Sequence, residues 1–423
     1  MRRKRLNIAA GVALPIALLA GSTSAAHATS PASGRKSPAV IGAVFPLTGV
    51  HAPTGTALLD GIELAASVIN KEGGVLGHPL KVDPFNTNAD PVDAVTAVRQ
   101  LLAVDNPSVV IGFSGSDYEQ ALPLVNQAKV VSFIDVGDPV LDHVTNMPYM
   151  FRAVPSDALT GTAMAYWAWH QHYTRIAMVF DADTASQTIV PSVETTARKL
   201  HIQVVASNSS DLPTGSPSYQ TQVRAVLAGK PQAILTQVVE NDAGTFFSEL
   251  QSLGGGNLPV VGSDATATAA FSQAFGATQA REHLVSVEPG VGVGGRLGHA
   301  FVVAFTKMFH TPPRSLSSSD YDATIVAALA MDAAHSTDPR VYQRYVMKVT
   351  TPGRGVTDVN SYRQGEQLLA AGKRIKYVGL SSSMTFSKYH SLAVTYDVVK
   401  TDASGNVTVV GTIPDAKLTP LLG

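Results

Sequence analysis

Short apolar runs alternate with longer helical patterns along most of this chain. Runs of this kind suit buried strands, and they predict strands at 39–45, 80–84, 109–112, 130–134, 175–180, 202–206, 233–236 and 258–262. Asp90 followed by Pro91 predicts the start of a helix, and Gly73 with Gly74 predicts the end of another. This alternation predicts an α/β fold whose parallel sheets are covered by helices on both faces.

The number of predicted strands favours two lobes, each with its own sheet, because a single sheet of this size would be unusually large. A length of 423 residues accommodates two such lobes. A hydrophobic content of 45% and a charged content of 15% are typical of a globular protein rather than a disordered one.

Residues 1–28 have the pattern of a secretory signal peptide, with a basic start, an apolar core at 8–20 and small residues at the cleavage site. We expect cleavage after Ala28, a disordered leader at 29–38 and a secreted, extracytoplasmic protein. The chain has no cysteine, which excludes disulfides, thiolate metal sites and lipidation at Ser22. The exported part carries 27 basic and 32 acidic residues, so nucleic acid is not an expected partner.

The stretch 109–125 combines a predicted strand, a turn of small residues and a helical pattern. Gly115 and Ser116 lie in the turn, and Tyr118 begins the apolar face of the helix. The first N–H groups of a helix and the positive end of its dipole form a seat for an anion such as a carboxylate. The alternative is an ordinary strand–helix turn in which a serine caps the helix.

Asp135 and Asp264 each follow a predicted strand, at the edge where ligands bind in parallel sheets. Helix capping or Asx turns explain both residues equally well. If both side chains face one cavity, their repulsion raises the pKa of one of them, and a cationic group of a ligand relieves it.

Three other patterns have simpler explanations than chemistry. Residues 290–295 fit the dinucleotide motif GxGxxG, but a flexible loop between domains explains them better. His170 and His172 lack nearby carboxylates and predict a surface cluster rather than a metal site. The serine runs at 317–319 and 381–383 predict turns. We therefore expect neither a cofactor nor a metal.

Several longer segments follow one another in a distinctive order: IGAVFPLTGVHAPTG (41–55), DGIELAASVINKEGGVLGHPL (60–80), DPVDAVTAVRQLL (90–102), VVIGFSGS (109–116), PYMFRAVPSD (148–157), RIAMVFD (175–181), VVGSDA (260–265), SDYDATIVAALAMDAA (319–334) and GLSSSMTFSKYHSL (379–392). As an ordered set they resemble the extracytoplasmic solute receptors of the leucine/isoleucine/valine-binding type, which serve ABC importers. The resemblance implies the type I periplasmic binding protein fold, in which two Rossmann-like three-layer lobes close around a three-segment hinge. It implies lobe I at 39–152 and 288–389, lobe II at 153–287 and 390–414, and a tail at 415–423.

The resemblance also implies a ligand site. Ser116 matches the serine that holds the α-carboxylate of an amino acid, and Asp264 matches the acidic residue that takes the α-ammonium. Other positions depart from the family: Gly137 replaces a threonine, Asp135 a small neutral residue, Ala185 a tyrosine, and Thr54 another aromatic residue. Either Val239 or Glu240 falls at a further tyrosine position. These losses predict a roomier pocket with more negative character. Gly115 and Tyr118 complete the expected site.

The expected function is that of a secreted, monomeric receptor that delivers a small ligand to an ABC permease and catalyses nothing. The expected ligand is an amino acid or a related amine/carboxylate compound. The alternatives are a ligand-sensing ectodomain, an amide or aromatic-acid receptor of the same fold, and a secreted hydrolase. The hydrolase is disfavoured because the sequence shows no convincing nucleophile–base pair.

Overall fold

The computed structural model describes residues 37–49, 51–113, 115, 117–207, 212–290, 296–314 and 316–422. Its strands are β1 (Ala39–Phe45), β2 (Leu80–Asn86), β3 (Val109–Gly112), β4 (Val131–Ile134), β5 (Met150–Arg152), β6 (Arg175–Phe180), β7 (Gln203–Ser207), β8 (Ala233–Gln237), β9 (Val260–Gly262), β10 (Leu284–Pro289), β11 (Val356–Val359), β12 (Arg374–Tyr377), β13 (Thr385–Phe386), β14 (Leu392–Ala393), β15 (Tyr396–Thr401) and β16 (Val407–Ile413). The eight strands predicted from apolar runs are all present, with ends that differ by up to two residues.

Most of these strands form two sheets. The first has the order β2-β1-β3-β4-β5 and is parallel throughout. The second has the order β16-β15-β10-β9-β8-β6-β7. It is parallel from β10 to β7, whereas β15 and β16 are added antiparallel at one edge. The prediction of parallel sheets thus holds except for these two late strands, which the apolar pattern had not identified.

Helices cover the sheets: α1 (Ala52–Lys71), α2 (Pro91–Val104), α3 (Tyr118–Gln127), α4 (Asp157–His170), α5 (Thr184–Gln187), α6 (Val190–Lys199), α7 (Gln220–Ala228), α8 (Glu240–Ser252), α9 (Ala269–Phe275), α10 (Ala277–His283), α11 (Arg296–Phe309), α12 (Ser317–Ala334), α13 (Pro339–Lys348), α14 (Tyr362–Ala370) and α15 (Asp415–Leu418). The predicted start of α2 is confirmed, because the Asp90 carboxylate accepts hydrogen bonds from the N–H groups of Val92 and Asp93. In the described ranges, no helix combines the length and the apolar character needed to cross a bilayer.

The prediction of a turn at 317–319 is wrong, because these serines begin α12 and are buried. Ser317 Oγ donates a 2.8 Å hydrogen bond to the carbonyl oxygen of Ala57 in α1. The two helices pack closely, since a Cβ at Gly61 would lie only 2.2 Å from the carbonyl oxygen of Ser317. The run at 381–383 lies outside helices and strands, as predicted.

The chain passes between the two sheets three times: after β5, after β10 and before β15. Between the last two passages, α12 packs against α1 and β3 and thus belongs with the first sheet. The backbone N–H of Arg152 donates to the carbonyl oxygen of His390 at 2.9 Å, which joins the first passage to the third. Of the glycine-rich motif at 290–295, residues 291–295 lie outside the described residues.

Candidate functional site

A cavity of about 370 Å³ is lined by residues that follow the carboxyl ends of strands in both sheets. The first sheet contributes Gly115, Tyr118, Glu119 and residues 135–138. The second contributes Asp183, Ala185, Thr188, Asp264 and Pro289, and the remaining lining residues are Val154, Pro155, Asp157, Thr160 and Leu316. This is the edge at which ligands bind in open α/β sheets.

The cavity is strongly acidic. Its described lining residues include Glu119, Asp135, Asp138, Asp157, Asp183 and Asp264, and none of them is lysine, arginine or histidine. Four of these carboxylates have hydrogen-bond donors within the chain, and those of Asp157 and Asp264 are described below. Asp138 accepts hydrogen bonds from Val140 N and from the Tyr118 hydroxyl, and Asp183 accepts from Ser186. The acidic character favours a ligand with a cationic group.

Asp135 follows β4 directly, and its N–H donates to the carbonyl oxygen of Gly112 at 3.2 Å. Its carboxyl group meets that of Asp320, in the first turn of α12. Both residues are buried, and when both are ionised their four oxygens have no donor among the described residues. Burial raises the pKa of both carboxyls, and the charge of Asp135 raises that of Asp320 further. The pair therefore holds a proton, which the protonated partner donates to the other.

Asp264 begins the short 3₁₀ turn Asp264–Thr266 after β9. Burial raises the pKa of its carboxyl, while hydrogen bonds from its own N–H and that of Ala265 oppose this shift. Burial and the neighbouring charges of Asp264 and Asp397 raise the pKa of Glu288 to about 8. Asp264 thus presents a carboxylate from the second sheet to the cavity, and none of the described lining residues is a basic residue that could pair with it.

Asp157, at the start of α4, is a lining residue that the sequence did not single out. Its Oδ2 accepts a 2.8 Å hydrogen bond from the Thr188 hydroxyl. Burial and the charge of Asp264 raise the pKa of Asp157 to about 6, against the opposing effect of that hydrogen bond. A helix start after Ser156 is an ordinary capping pattern, so nothing in the local sequence marked Asp157 for a site.

The remaining predicted site residues divide into three groups. Gly115, Tyr118, Gly137 and Ala185 line the cavity together with Asp135 and Asp264. The structure does not bring Thr54 or Glu240 to it; both are exposed, near the start of α1 and at the start of α8. Ser116 lies outside the described residues.

Arg152 is a fully buried cation close to the site. Its Nε donates to the carbonyl oxygen of Val136 at 3.0 Å, and its Nη1 pairs with the Asp142 carboxylate. Arg152 therefore fixes the backbone after β4, next to Asp135, although it does not line the cavity. Its charge lowers the pKa of Asp157, but less than burial raises it.

A family model described as periplasmic binding protein matches residues 38–405. The chain belongs to this family. The cavity, which lies at the strand ends of both α/β lobes, thus occurs in an extracytoplasmic binding protein.

Curated relatives of this periplasmic binding protein match part of it. An amino acid binding protein from Pseudomonas aeruginosa is 23% identical over 217 residues, which cover 51% of this chain and 58% of the relative. The Leu/Ile/Val-binding protein homolog 7 of Brucella abortus is 25% identical over 175 residues, which cover 40% of this chain and 38% of that protein. The chain therefore spans less than two thirds of the length of these relatives.

Solved structures match nearly the whole described chain. The leucine binding protein LivK from Thermotoga maritima has a TM-score of 0.70 at 17% identity and covers 90% of this chain and 100% of its own. LivJ from Streptococcus pneumoniae, in complex with isoleucine, has a TM-score of 0.66 at 18% identity, covering 89% and 99%. A solute binding protein from R. palustris, in complex with benzoate, has a TM-score of 0.68 at 16% identity. The match covers 89% of this chain and 97% of that protein. These similarities confirm the predicted type I fold, and their different ligands show that the fold does not select the ligand.

Proposed function

We propose that this protein is a receptor that binds an amino acid or a related amine/carboxylate compound and delivers it to an ABC permease. The observation that carries the proposal is the acidic cavity, whose lining residues follow strands of both sheets and include Asp264. Binding of this kind requires no nucleophile, and we expect no turnover of the ligand.

In this proposal the α-ammonium of the ligand binds Asp264, with Asp157 close by. The α-carboxylate binds at the start of α3, where Gly115 and Tyr118 line the cavity. Ser116, which lies outside the described residues, is expected to add a hydroxyl, as the family resemblance implies. The N-cap residue Asp117 does not bond the first N–H groups of α3 with its side chain. Burial raises the pKa of this carboxyl, which weakens its repulsion of an anion at the helix end. Each charge-assisted hydrogen bond contributes about 1.5–3 kcal/mol.

We further propose that the protein is a monomer and that its two lobes close over the ligand. Lobe I comprises 39–152 and 288–389, and lobe II comprises 153–287 and 390–414. A ligand favours the closed form only by its differential affinity for the two forms, so it has to contact both lobes. Asp135 and Gly137 on one side, with Asp264 and Ala185 on the other, suit such a bridging ligand.

A thermal-shift screen of amino acids, polyamines, amides and aromatic acids tests the proposal. A ligand that binds only the folded protein raises its melting temperature, by an amount that grows with the ratio of ligand concentration to Kd. Small-angle scattering then tests closure, because a closing ligand reduces the radius of gyration. If no amino acid or amine raises the melting temperature, the proposed function is rejected. Binding without a change in the radius of gyration rejects the closure alone.

The structural similarity to a benzoate complex brings an aromatic-acid receptor into consideration. The acidic lining argues against it, because an acid without an ammonium group would place its charge next to Asp135, Asp157 and Asp264 without a cation to offset them. Benzoate and acetamide in the same screen separate this reading from the first.

A further inference from the structure

A buried carboxyl group on the cavity wall has no N–H or alcohol hydroxyl donor among the described residues. Asp135 is 7% exposed and lines the cavity, yet neither of its carboxylate oxygens accepts a hydrogen bond from an N–H or hydroxyl group of the described residues. Burying an ionised carboxylate without a compensating partner is costly, so a folded protein rarely retains one without a reason. Among the described residues, the carboxyl of Asp320 is the one hydrogen-bonding partner of the Asp135 carboxyl.

Asp320, whose carboxyl is hydrogen-bonded to that of Asp135, supplies only a proton. It is fully buried in α12, and its own carboxylate oxygens also lack a donor among the described residues. One shared proton removes the repulsion between the two groups but leaves one negative charge on the pair. Of the two residues, only Asp135 lines the cavity, so its carboxyl is the one that lies next to a ligand bound there.

No basic side chain of the described residues offsets this charge at the cavity. The described lining residues contain no lysine, arginine or histidine, and the influences on the pKa of Asp135 are burial and Asp320. The guanidinium of Arg152 is directed to Val136 O and Asp142 instead. A cation that arrives with the ligand would complete the arrangement.

We propose that the solute carries a second cationic nitrogen, which binds Asp135 while the α-ammonium binds Asp264. This inference rests on the proposed function and narrows its ligand to amino acids with a cationic side chain. Asp135 follows β4 of the first sheet, whereas Asp264 follows β9 of the second. A solute with a cation for each carboxylate contacts both lobes and thereby favours their closure. A leucine-like side chain would leave Asp135 unpaired.

Isothermal titration of the exported chain with matched ligands tests the inference. L-lysine and 6-hydroxy-L-norleucine have the same carbon skeleton, but a hydroxyl replaces the terminal ammonium in the second. We expect lysine to bind about 10- to 100-fold more tightly, the range of a hydrogen bond to a charged group. Putrescine, which lacks the carboxylate, should bind more weakly than lysine.

Three variants locate the effect. Asp135→Asn should reduce the preference for lysine to about two-fold or less, because the charge difference at this wall is lost. Asp320→Asn should retain the preference, because its amide donates to an ionised Asp135. Asp358→Asn removes one exposed acidic charge in β11, away from the cavity, and should also retain it.

The outcomes separate the two proposals. Equal binding of lysine and its hydroxyl analogue overturns the inference, and so does an unchanged preference in Asp135→Asn. If leucine binds and lysine does not, the inference falls and the proposed function stands. If no amino acid binds, both fall. If Asp135→Asn does not fold, the comparison of L-lysine with 6-hydroxy-L-norleucine on the unmodified chain and on Asp320→Asn still tests the inference. Equal binding of the two ligands overturns it.

Discussion

Gly137 and Asp157 approach each other more closely than a side chain at position 137 would permit. The carbonyl oxygen of Gly137 accepts a 2.7 Å hydrogen bond from Asp157 N. A Cβ at Gly137 would lie 1.9 Å from Asp157 Oδ1. Gly137 follows β4 of the first sheet, and Asp157 begins α4, which packs against β9 and β10 of the second. The missing side chain thus leaves room for a carboxylate where the family resemblance places a threonine.

Gly137→Thr should destabilise the protein by about 1–3 kcal/mol, the usual cost of overpacking. The backbone at 137 lies outside the left-handed region, so the clash with Asp157 is the expected cause. Urea unfolding measures the effect. The double variant Gly137→Thr/Asp157→Ala should recover most of the loss, because alanine removes the clashing oxygen. Strictly additive effects of the two substitutions would contradict the steric explanation.

The stability of the ligand-free protein should decrease as the pH rises from about 5 to about 9. Burial raises the pKa of Asp157 to about 6 and that of Glu288 to about 8, above their usual values. The folded protein therefore keeps protons that the unfolded chain releases, and the resulting stabilisation is lost as the pH passes through these values. Melting temperatures across this pH range measure the trend.

Glu288→Gln should flatten the upper part of this pH dependence, because the amide stays neutral. The exposed substitution Asp358→Asn should leave the curve unchanged. A melting temperature that rises steadily with pH would contradict the raised pKa values.

Asp264→Ala should weaken an amine ligand more than Ser114→Ala does. Asp264 lines the cavity and presents a carboxylate, whose loss removes a charge-assisted hydrogen bond and costs about 10- to 100-fold in Kd. Ser114, which lies outside the described residues, is assigned no contact with the ammonium. Calorimetric titrations with one amine ligand give the order, and the reverse order would refute the assignment of Asp264.

Arg152→Met should destabilise the protein strongly, by about 3–5 kcal/mol, because it leaves a buried ion pair without its cation. The guanidinium holds both Val136 O and Asp142, which a methionine cannot do. Arg363→Met is the matched control, since Arg363 pairs with Glu72 at 2.6 Å but is 65% exposed. Exposed pairs contribute about 0–1 kcal/mol. Similar urea midpoints for the two variants would contradict the role of Arg152.

Local patterns predicted most of the fold because they report local physics. Apolar runs at 109–112 and 175–180 became β3 and β6, since buried parallel strands need apolar residues on both faces. The turn predicted at 317–319 was wrong because a serine run is typical of turns, whereas here the Ser317 hydroxyl donates to the Ala57 carbonyl oxygen between two packed helices. A hydroxyl with a partner from a distant helix cannot be recognised from its neighbours in the chain.

The alternation of strands and helices, the absence of cysteine and the two aspartates at strand ends follow from the amino-acid sequence, because each depends on residue type and near spacing. The contact of Asp320 with Asp135 and the position of Asp157 beside Gly137 arise only in the folded chain. The partners in each pair are carried by different elements, and packing of α12 and α4 brings them together. The charge of the cavity is thus a property of that packing, since a carboxylate acquires its raised pKa only where burial removes its water.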